Sequence, residues 1–347
     1  MMEITSTINH VRQTNLQSAA QATDNQTRTA SHIGEALSFD PQADAFQQAD
    51  QAFRQLGYDV AETSFREETV SSDLDKIKVQ YRSMMMASKH SADLYKHIPE
   101  PVDDGRAHID GLKEMIDNIH SGYQKNYGEV VKAATKYMEA VNSGLGKMST
   151  HLEGASEGKI KLFKYRMINS MNDAVSGYFK NTGNPPSISL LSSPNTDTSH
   201  MKILKKMFEG YPSGDQSVML NYLVPLASFD AKGNSGEFWK KKLSGQGFVV
   251  IEYKNQIHIY PDMAPLKKIY DSMNELNGAE YGEIAISSQI FQSFQTAVDS
   301  HKNTTNSSVS RLLETFRQDN SHFDTLVQLL IQLIKDLNQN NNSLINM

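Results

Sequence analysis

The sequence predicts a mainly α chain with a small α/β part: a long antiparallel intramolecular coiled coil flanked by an N-terminal helical hairpin and a mixed α/β insertion domain. Three observations carry that prediction. Over 309–337 the apolar residues Val309, Leu312, Phe316, Phe323, Leu326, Leu330, Leu333 and Leu337 follow a heptad pattern, and a 3.5-residue repeat keeps one stripe of a helix against a partner along its length. A second stripe supplies the partner through Ile109, Leu112, Ile116, Ile119, Tyr123, Tyr127, Val130, Ala134, Val141 and Leu145. It spans about forty residues, or about 60 Å at 1.5 Å per residue. Between the two stripes, 248–253 and 257–260 are β-rich runs around the polar turn Lys254-Asn255-Gln256, the pattern of a β-hairpin.

Composition agrees with long exposed helices. The 347 residues are only 38% hydrophobic and the net charge is -6, with a mean hydropathy of -0.51. Such polarity fits helices that expose most of their circumference. The acidic balance excludes a large nucleic-acid footprint. Cysteine is absent, which excludes a disulfide framework, a thiolate metal site and a cysteine nucleophile together. No apolar run approaches the roughly 20 residues of a membrane span, and no basic segment followed by an apolar core predicts signal-peptide export.

In chain order, 1–40 is rich in Ser, Thr, Gln, Asn and Ala, a composition that does not bury enough surface to offset its ordering entropy. It reads either as a loose tail or as an address recognised unfolded. The hairpin occupies 41–100. Its first helix carries Ala45, Phe46, Ala49, Phe53 and Leu56 and ends at Gly57; its second starts near Asp73, carries Leu74, Ile77, Tyr81 and Met84, and stops at Pro99 and Pro101. The run Met84-Met85-Met86 reads as core in preference to an adaptable groove. The first coiled-coil helix takes 101–153, and its glycines at 122 and 128 are candidates for close approach of a neighbour.

The insertion covers 154–280. A strand is expected at 159–163, a helix at 165–179, a turn-rich loop over 183–195, a short helix over 201–209, and a helix started by Asp262 and ended by Gly278. The second coiled-coil helix takes 281–340, starts near Ile284 and runs through Ile290, Phe294, Ala297 and His301, with 341–347 as a fraying tail. The polar run 303–308 interrupts its seam, as a local unwinding or as a place where another element packs.

No catalytic motif of a metalloprotease, serine hydrolase, P-loop or EF-hand type is present. Gly245-Gln246-Gly247 precedes a strand and so reads as a turn rather than a dinucleotide loop. The histidines are dispersed, which gives no metal site, and no cofactor is expected. His301 reads as a core or hydrogen-bonded helix residue, Asp319 as a register-fixing charge, and Trp239 as insertion-domain core with an interface role second.

Three motifs, in order, resemble a known family. The run Asn320-Ser321-His322-Phe323-Asp324-Thr325-Leu326-Val327-Gln328-Leu329-Leu330 is similar to the last helix of the type III secretion needle-tip proteins of the IpaD, SipD and BipD class. Tyr123, Tyr127, Val130 and Val131 match that family's Y-x-x-x-Y-x-x-V-V, and Gly245-Gln246-Gly247-Phe248-Val249-Val250 followed by Pro265-Leu266 resembles its G-x-G-Y-V-V strand and P-L helix start. The chain departs where relatives close the first long helix with a tryptophan and a proline-glycine loop, for it has Met148-Ser149-Thr150-His151-Leu152-Glu153-Gly154 there.

The resemblance implies a non-enzymatic secreted protein, located at the bacterial surface on the needle tip. It would be a monomer in solution and a pentameric ring on the needle, sensing host contact and serving as platform for the hydrophobic translocator that forms the pore. Needle-subunit binding is then expected at Phe323, Asp324, Leu326, Val327, Leu330, Leu333, Ile334 and Leu337. The coiled-coil seam is expected at Ile116, Tyr123, Tyr127, Val130, Val309, Leu312 and Phe316, and self-chaperone packing of the hairpin at Phe46, Phe53, Leu74, Ile77 and Tyr81. Some members of the family bind bile salts between hairpin and coiled coil, although no residue of this chain marks such a site. The region 1–40 becomes a secretion signal on this reading. The alternative is a cytosolic structural or adaptor coiled-coil protein with an unrelated α/β insertion.

Overall fold

The computed structural model describes residue 40 and residues 43–60, 70–99, 107–180, 219–221, 223–231, 235–276 and 283–345. The expected tail before residue 40, the loop over 183–195, the helix over 201–209 and the stop at Gly278 lie outside them.

Helix α1 (Ala45–Gln55) begins with a capping box: Asp44 accepts from the Gln47 backbone at 3.0 Å while the Gln47 side chain accepts from the Asp44 backbone at 3.1 Å. It buries Phe46, Ala49, Ala52 and Phe53, and Gly57 follows its end with φ +82°, the left-handed conformation that stops helices at glycine. Helix α2 (Leu74–Lys96) is capped by Asp73, which accepts from the backbones of Asp75 and Lys76. Of the three methionines only Met84 is buried; Met86 is 75% exposed and faces outward.

Helix α3 comprises Ala107–Asn118, a π-helical turn Ile119–Gln124, and Lys125–Met148. The π turn is not predicted by the periodicity, which accommodates it through the four-residue steps from Ile119 to Tyr123 to Tyr127. Gly128 admits the Phe316 ring, which would lie 3.7 Å from a Cβ placed there, whereas Gly122 faces no neighbour. The tighter approach is at Gly144, where an added Cβ would lie 2.6 Å from Met171 Sδ and 3.3 Å from Met171 Cα. Helix α4 (Lys164–Val175) packs there, along the upper half of α3. Gly144→Val is therefore expected to destabilise by about 1–3 kcal/mol through overpacking. Gly146→Ala, in open space, should instead stabilise by up to about 1 kcal/mol through helix propensity; urea unfolding of both variants checks the contrast.

The mixed region holds two antiparallel sheets. Strands β1 (Leu152–Gly154), β2 (Lys159–Leu162) and β6 (Ile284–Ser287) form one in the order β1-β2-β6; β3 (Ala227–Asp230), β4 (Phe248–Tyr253) and β5 (Gln256–Pro261) form the other in the order β3-β5-β4. The expected hairpin is β4–β5, joined through Lys254 and Asn255 at φ +50° and +61°, as a two-residue primed turn requires. Helix α5 (Ser235–Leu243) packs on β4, and helix α6 (Ala264–Asn274), with Ala264 N donating to Asp262 at 2.8 Å, packs on the last helix.

That last helix, α7 (Ser288–Ile345), has 58 residues and is about 87 Å long. It begins later than expected. Ile284 belongs to β6, where Ile284 and Ile286 point inward and Ala285 and Ser287 outward, a period of two that the helical reading overrides. Ile290, placed on the helical stripe by its spacing, is 51% exposed. The helix is also unbroken through 303–308, so the polar run is no unwinding. Asn306 is buried, accepting from Asn142 Nδ2 at 2.7 Å and donating to the Ser72 carbonyl at 2.8 Å. Ser310 likewise receives the Ser71 backbone N–H at 2.9 Å. The segment leading into α2 is the element that packs there. Helicity also persists past Leu337, through the asparagine-rich 338–345.

Candidate functional site

The lower end of the coiled coil is a bundle of α1, α2, the first part of α3 and the last part of α7. Leu326, Val327, Leu330, Leu333, Ile334 and Leu337, together with Phe323, are buried in it, none more than 7% exposed. The open face of α7 at this level is instead polar, presenting Gln328, Gln332 and Lys335. The predicted seam residues Ile116, Tyr123, Tyr127, Val130, Val309, Leu312 and Phe316 are all buried too. Tyr127 lies 4.7 Å from Phe316, ring centre to ring centre, and its hydroxyl reaches the Leu312 carbonyl at 3.5 Å. Of the expected hairpin residues Phe46, Phe53 and Ile77 are buried, while Leu74 and Tyr81 are partly buried against the same core. Leu329 and Ile331 also pack on it from flanking positions; the heptad count leaves them out because they border the stripe instead of lying on it.

Polar contacts key the hairpin to the apolar surface it covers. His322 Nε2 meets Asp50 Oδ1 at 2.7 Å, with the His322 ring stacked 5.2 Å from Phe46. Tyr58 donates to Asp336 at 3.3 Å, and Asn320 donates to the Ser91 hydroxyl at 2.6 Å. On α2, Tyr95 donates to Asp117 of α3 at 2.5 Å, so burial followed by that hydrogen bond pushes its pKa up to about 12. Tyr95 also stacks on His120, in the π turn, at 4.1 Å; burial lowers the His120 pKa.

Asp324 is less well served. Its Oδ1 is buried without a hydrogen-bond partner among the described residues, and desolvation raises its pKa against the opposing pull of Ser91 and His90. An acid whose folded pKa lies above its unfolded value holds its proton more tightly when folded, so its contribution to stability falls as pH rises from the unfolded pKa through the folded one. Asp324→Asn is thus expected to raise the melting temperature at pH 7 and to give a smaller gain at pH 4, measured by thermal circular dichroism.

Above this bundle the mixed domain is tied to the seam. Trp239 of α5 is 3% exposed, stacks on Tyr123 at 5.3 Å and meets Tyr127 edge-on at 5.6 Å. It belongs to the coiled-coil core rather than to a core private to the insertion. Lys242, one turn on, bonds both oxygens of Asp319 at 2.9 Å and lies 5.9 Å from the Tyr123 ring centre; the Tyr123 hydroxyl donates to the same carboxylate. Burial and then the Asp319 charge push the Tyr123 and Tyr127 hydroxyl pKa values well up. Asp319 is therefore the partner of an insertion-domain lysine, a role that seam spacing alone does not reveal. Lys242→Met, which leaves that carboxylate only the Tyr123 hydroxyl, is expected to cost about 1.5–3 kcal/mol. Adding Asp319→Asn should recover most of the loss in a double-mutant cycle by urea unfolding; a double-mutant loss equal to the sum of the single losses would mean the two are not coupled.

Elsewhere, His301 is half-buried, its pKa lowered by desolvation first and by Lys268 second. No cluster of three metal-ligating side chains occurs among the described residues, and no described helix is long and apolar enough to cross a membrane.

No family profile and no curated protein matches the chain. Solved structures do. BipD of Burkholderia pseudomallei is 15% identical with a TM-score of 0.47, covering 90% of this chain and 100% of its own. A second structure of BipD, described as a component of the type III secretion system of that organism, is 14% identical with a TM-score of 0.49, over 85% of this chain and 94% of its own. A pathogenicity island 1 effector protein from Chromobacterium violaceum is 15% identical with a TM-score of 0.45, over 84% and 78%. At these identities and TM-scores the likeness transfers no residue role.

Proposed function

We propose that the chain is a non-enzymatic type III secretion needle-tip protein. The observation that carries this reading is that the residues of the tip-family motif in the last helix lie beneath the chain's own N-terminal hairpin. Asn320 and His322 are bonded to it, and Phe323, Leu326 and Leu330 share an apolar core with it. A surface that must stay unassembled before export and pair with a helical partner afterwards needs such a cover. A needle subunit, itself a helical hairpin, would dock by replacing α1 and α2 against Leu326, Leu330 and Leu333. The polar keys at Asn320, His322 and Asp336 would then need new partners, which gives the exchange specificity as well as affinity. The assembled form would be a pentameric ring at the needle tip that senses host contact and receives the hydrophobic translocator.

Export tests the reading. In a secretion-competent strain the protein should appear in the culture supernatant and be retained when the secretion ATPase is deleted. Retention in both strains would favour the cytosolic adaptor instead.

A further inference from the structure

Where the heptads lapse, α7 and the mixed domain leave between them a cleft of about 520 Å³, within the size range of small-ligand sites. One wall is the polar stretch of α7, with Asn303, Thr304, Ser307 and Arg311; the other is the turn at Gly245–Gly247 together with Asp262. Tyr137 and Phe248, both buried, also line it. The walls are held in place where they meet. A Cβ on Gly247, whose φ is +94°, would fall 2.2 Å from Ser308 Oγ, and the Gly247 carbonyl accepts from Asp262 N at 2.8 Å.

Two of the lining side chains have a buried atom without a hydrogen-bond partner among the described residues, Gln246 Oε1 and Arg311 Nε. One is an acceptor and the other a charged donor. Buried groups of this kind normally find a partner, in protein, water or ligand. Arg311 also has no carboxylate within ion-pair distance among the described residues, although Asp262 lines the opposite wall. Asp262 already accepts from Ala264 N through Oδ1, which leaves its second oxygen to accept. A fully deprotonated oxyanion such as sulfate would satisfy Arg311, but it has no hydrogen to give to Gln246 or Asp262. A neutral polyol would satisfy the acceptors and leave the arginine unpaired. A molecule with one carboxylate and several hydroxyls meets both demands, and Asn303, Thr304 and Ser307 offer the short polar groups such hydroxyls pair with.

We propose that this cleft binds an acidic sugar of monosaccharide size. Arg311 takes its carboxylate by charge-assisted hydrogen bonds, and Gln246 and Asp262 accept from its hydroxyls. The proposal is independent of the needle-tip reading, since none of the residues that line the cleft is among those assigned to needle docking or to the hairpin cover.

Calorimetric titration and saturation-transfer NMR on the full chain test it, with D-glucuronate and N-acetylneuraminate as probes and D-glucose and sulfate as controls. At least one acid should bind saturably at one per chain, and at least tenfold more tightly than either control. Arg311→Gln should weaken the acid at least tenfold and leave glucose unchanged. Ser307→Leu, which fills the cleft from a helical position, should abolish binding; it carries the test alone if Arg311→Gln misfolds by circular dichroism. Absence of saturable binding by both acids would overturn the proposal, as would sulfate binding as tightly as the acid, glucose binding as tightly as the acid, or acid binding that survives Ser307→Leu.

Discussion

Leu330→Asp combined with Leu333→Asp is expected to unfold the lower bundle. Leu330 is fully buried and Leu333 nearly so, and both belong to the core shared with Phe46, Phe53 and Ile77. Truncating a buried leucine costs about 2–5 kcal/mol, and a carboxylate there adds the cost of an unpaired buried charge. Two such changes approach the total of about 5–15 kcal/mol that holds an ordinary domain. Loss of the cooperative thermal transition, with rapid proteolysis of the hairpin, is the expected result. The upper part, held by Trp239 and by α4 on α3, should keep its helical signal longest. A melting temperature within a degree or two of the parent would contradict the packing described. Needle co-sedimentation of the same variant bears on function, and normal assembly would remove these leucines from the docking surface.

The second large effect is expected from deleting 43–99. Without α1 and α2 the stripe through Phe323, Leu326, Leu330 and Leu337 faces water on one side, and an apolar helical stripe of that length pairs with another copy. Light scattering after size exclusion should report a single-chain mass for the parent and a multiple of it for the deletion. A single-chain mass for both would show that the hairpin is structural trim, not a cover. Asp50→Ala, which removes only the His322 contact, provides a graded comparison and should shift the balance by far less.

Much of this arrangement was legible in the residues because heptads and hairpin alternation are local patterns. The apolar stripes through Ile116 to Val130 and Val309 to Phe316 follow directly from spacing, as do the first hairpin helix through Ala45 to Phe53 and the start of the second at Asp73, whereas the cap at Asp44 does not. What spacing does not carry is what crosses between distant segments. The polar run 303–308 looks like an interruption because Asn142 and Ser72, the partners of Asn306, are far away in sequence. Trp239 and Lys242 could be assigned to the seam only once α5 was seen against Tyr123 and Asp319. The strand Ile284–Ser287 is a different kind of miss: its alternation was visible, but four residues adjoining a very long helix are outweighed by the helix. At the candidate site, the buried leucines were readable and the polar keys were not, since Asp50–His322 and Ser91–Asn320 join residues more than two hundred positions apart.

The pairing of β2 with β6 runs antiparallel, from Lys159 opposite Ser287 to Leu162 opposite Ile284. The mixed region therefore leaves the rod and returns to it at nearly the same place, so its length is invisible to the two helices that carry it. Such a cassette can be lengthened, shortened or exchanged without altering the register of the rod, provided its ends still meet. One constraint survives any exchange: a replacement that lacks a cation at the place of Lys242 must also bring a neutral residue at position 319, or the rod keeps a largely buried carboxylate with no counter-charge. Diversification of the outer domain and conservation of the shaft are in this way separable, with Asp319 as the point where they must change together.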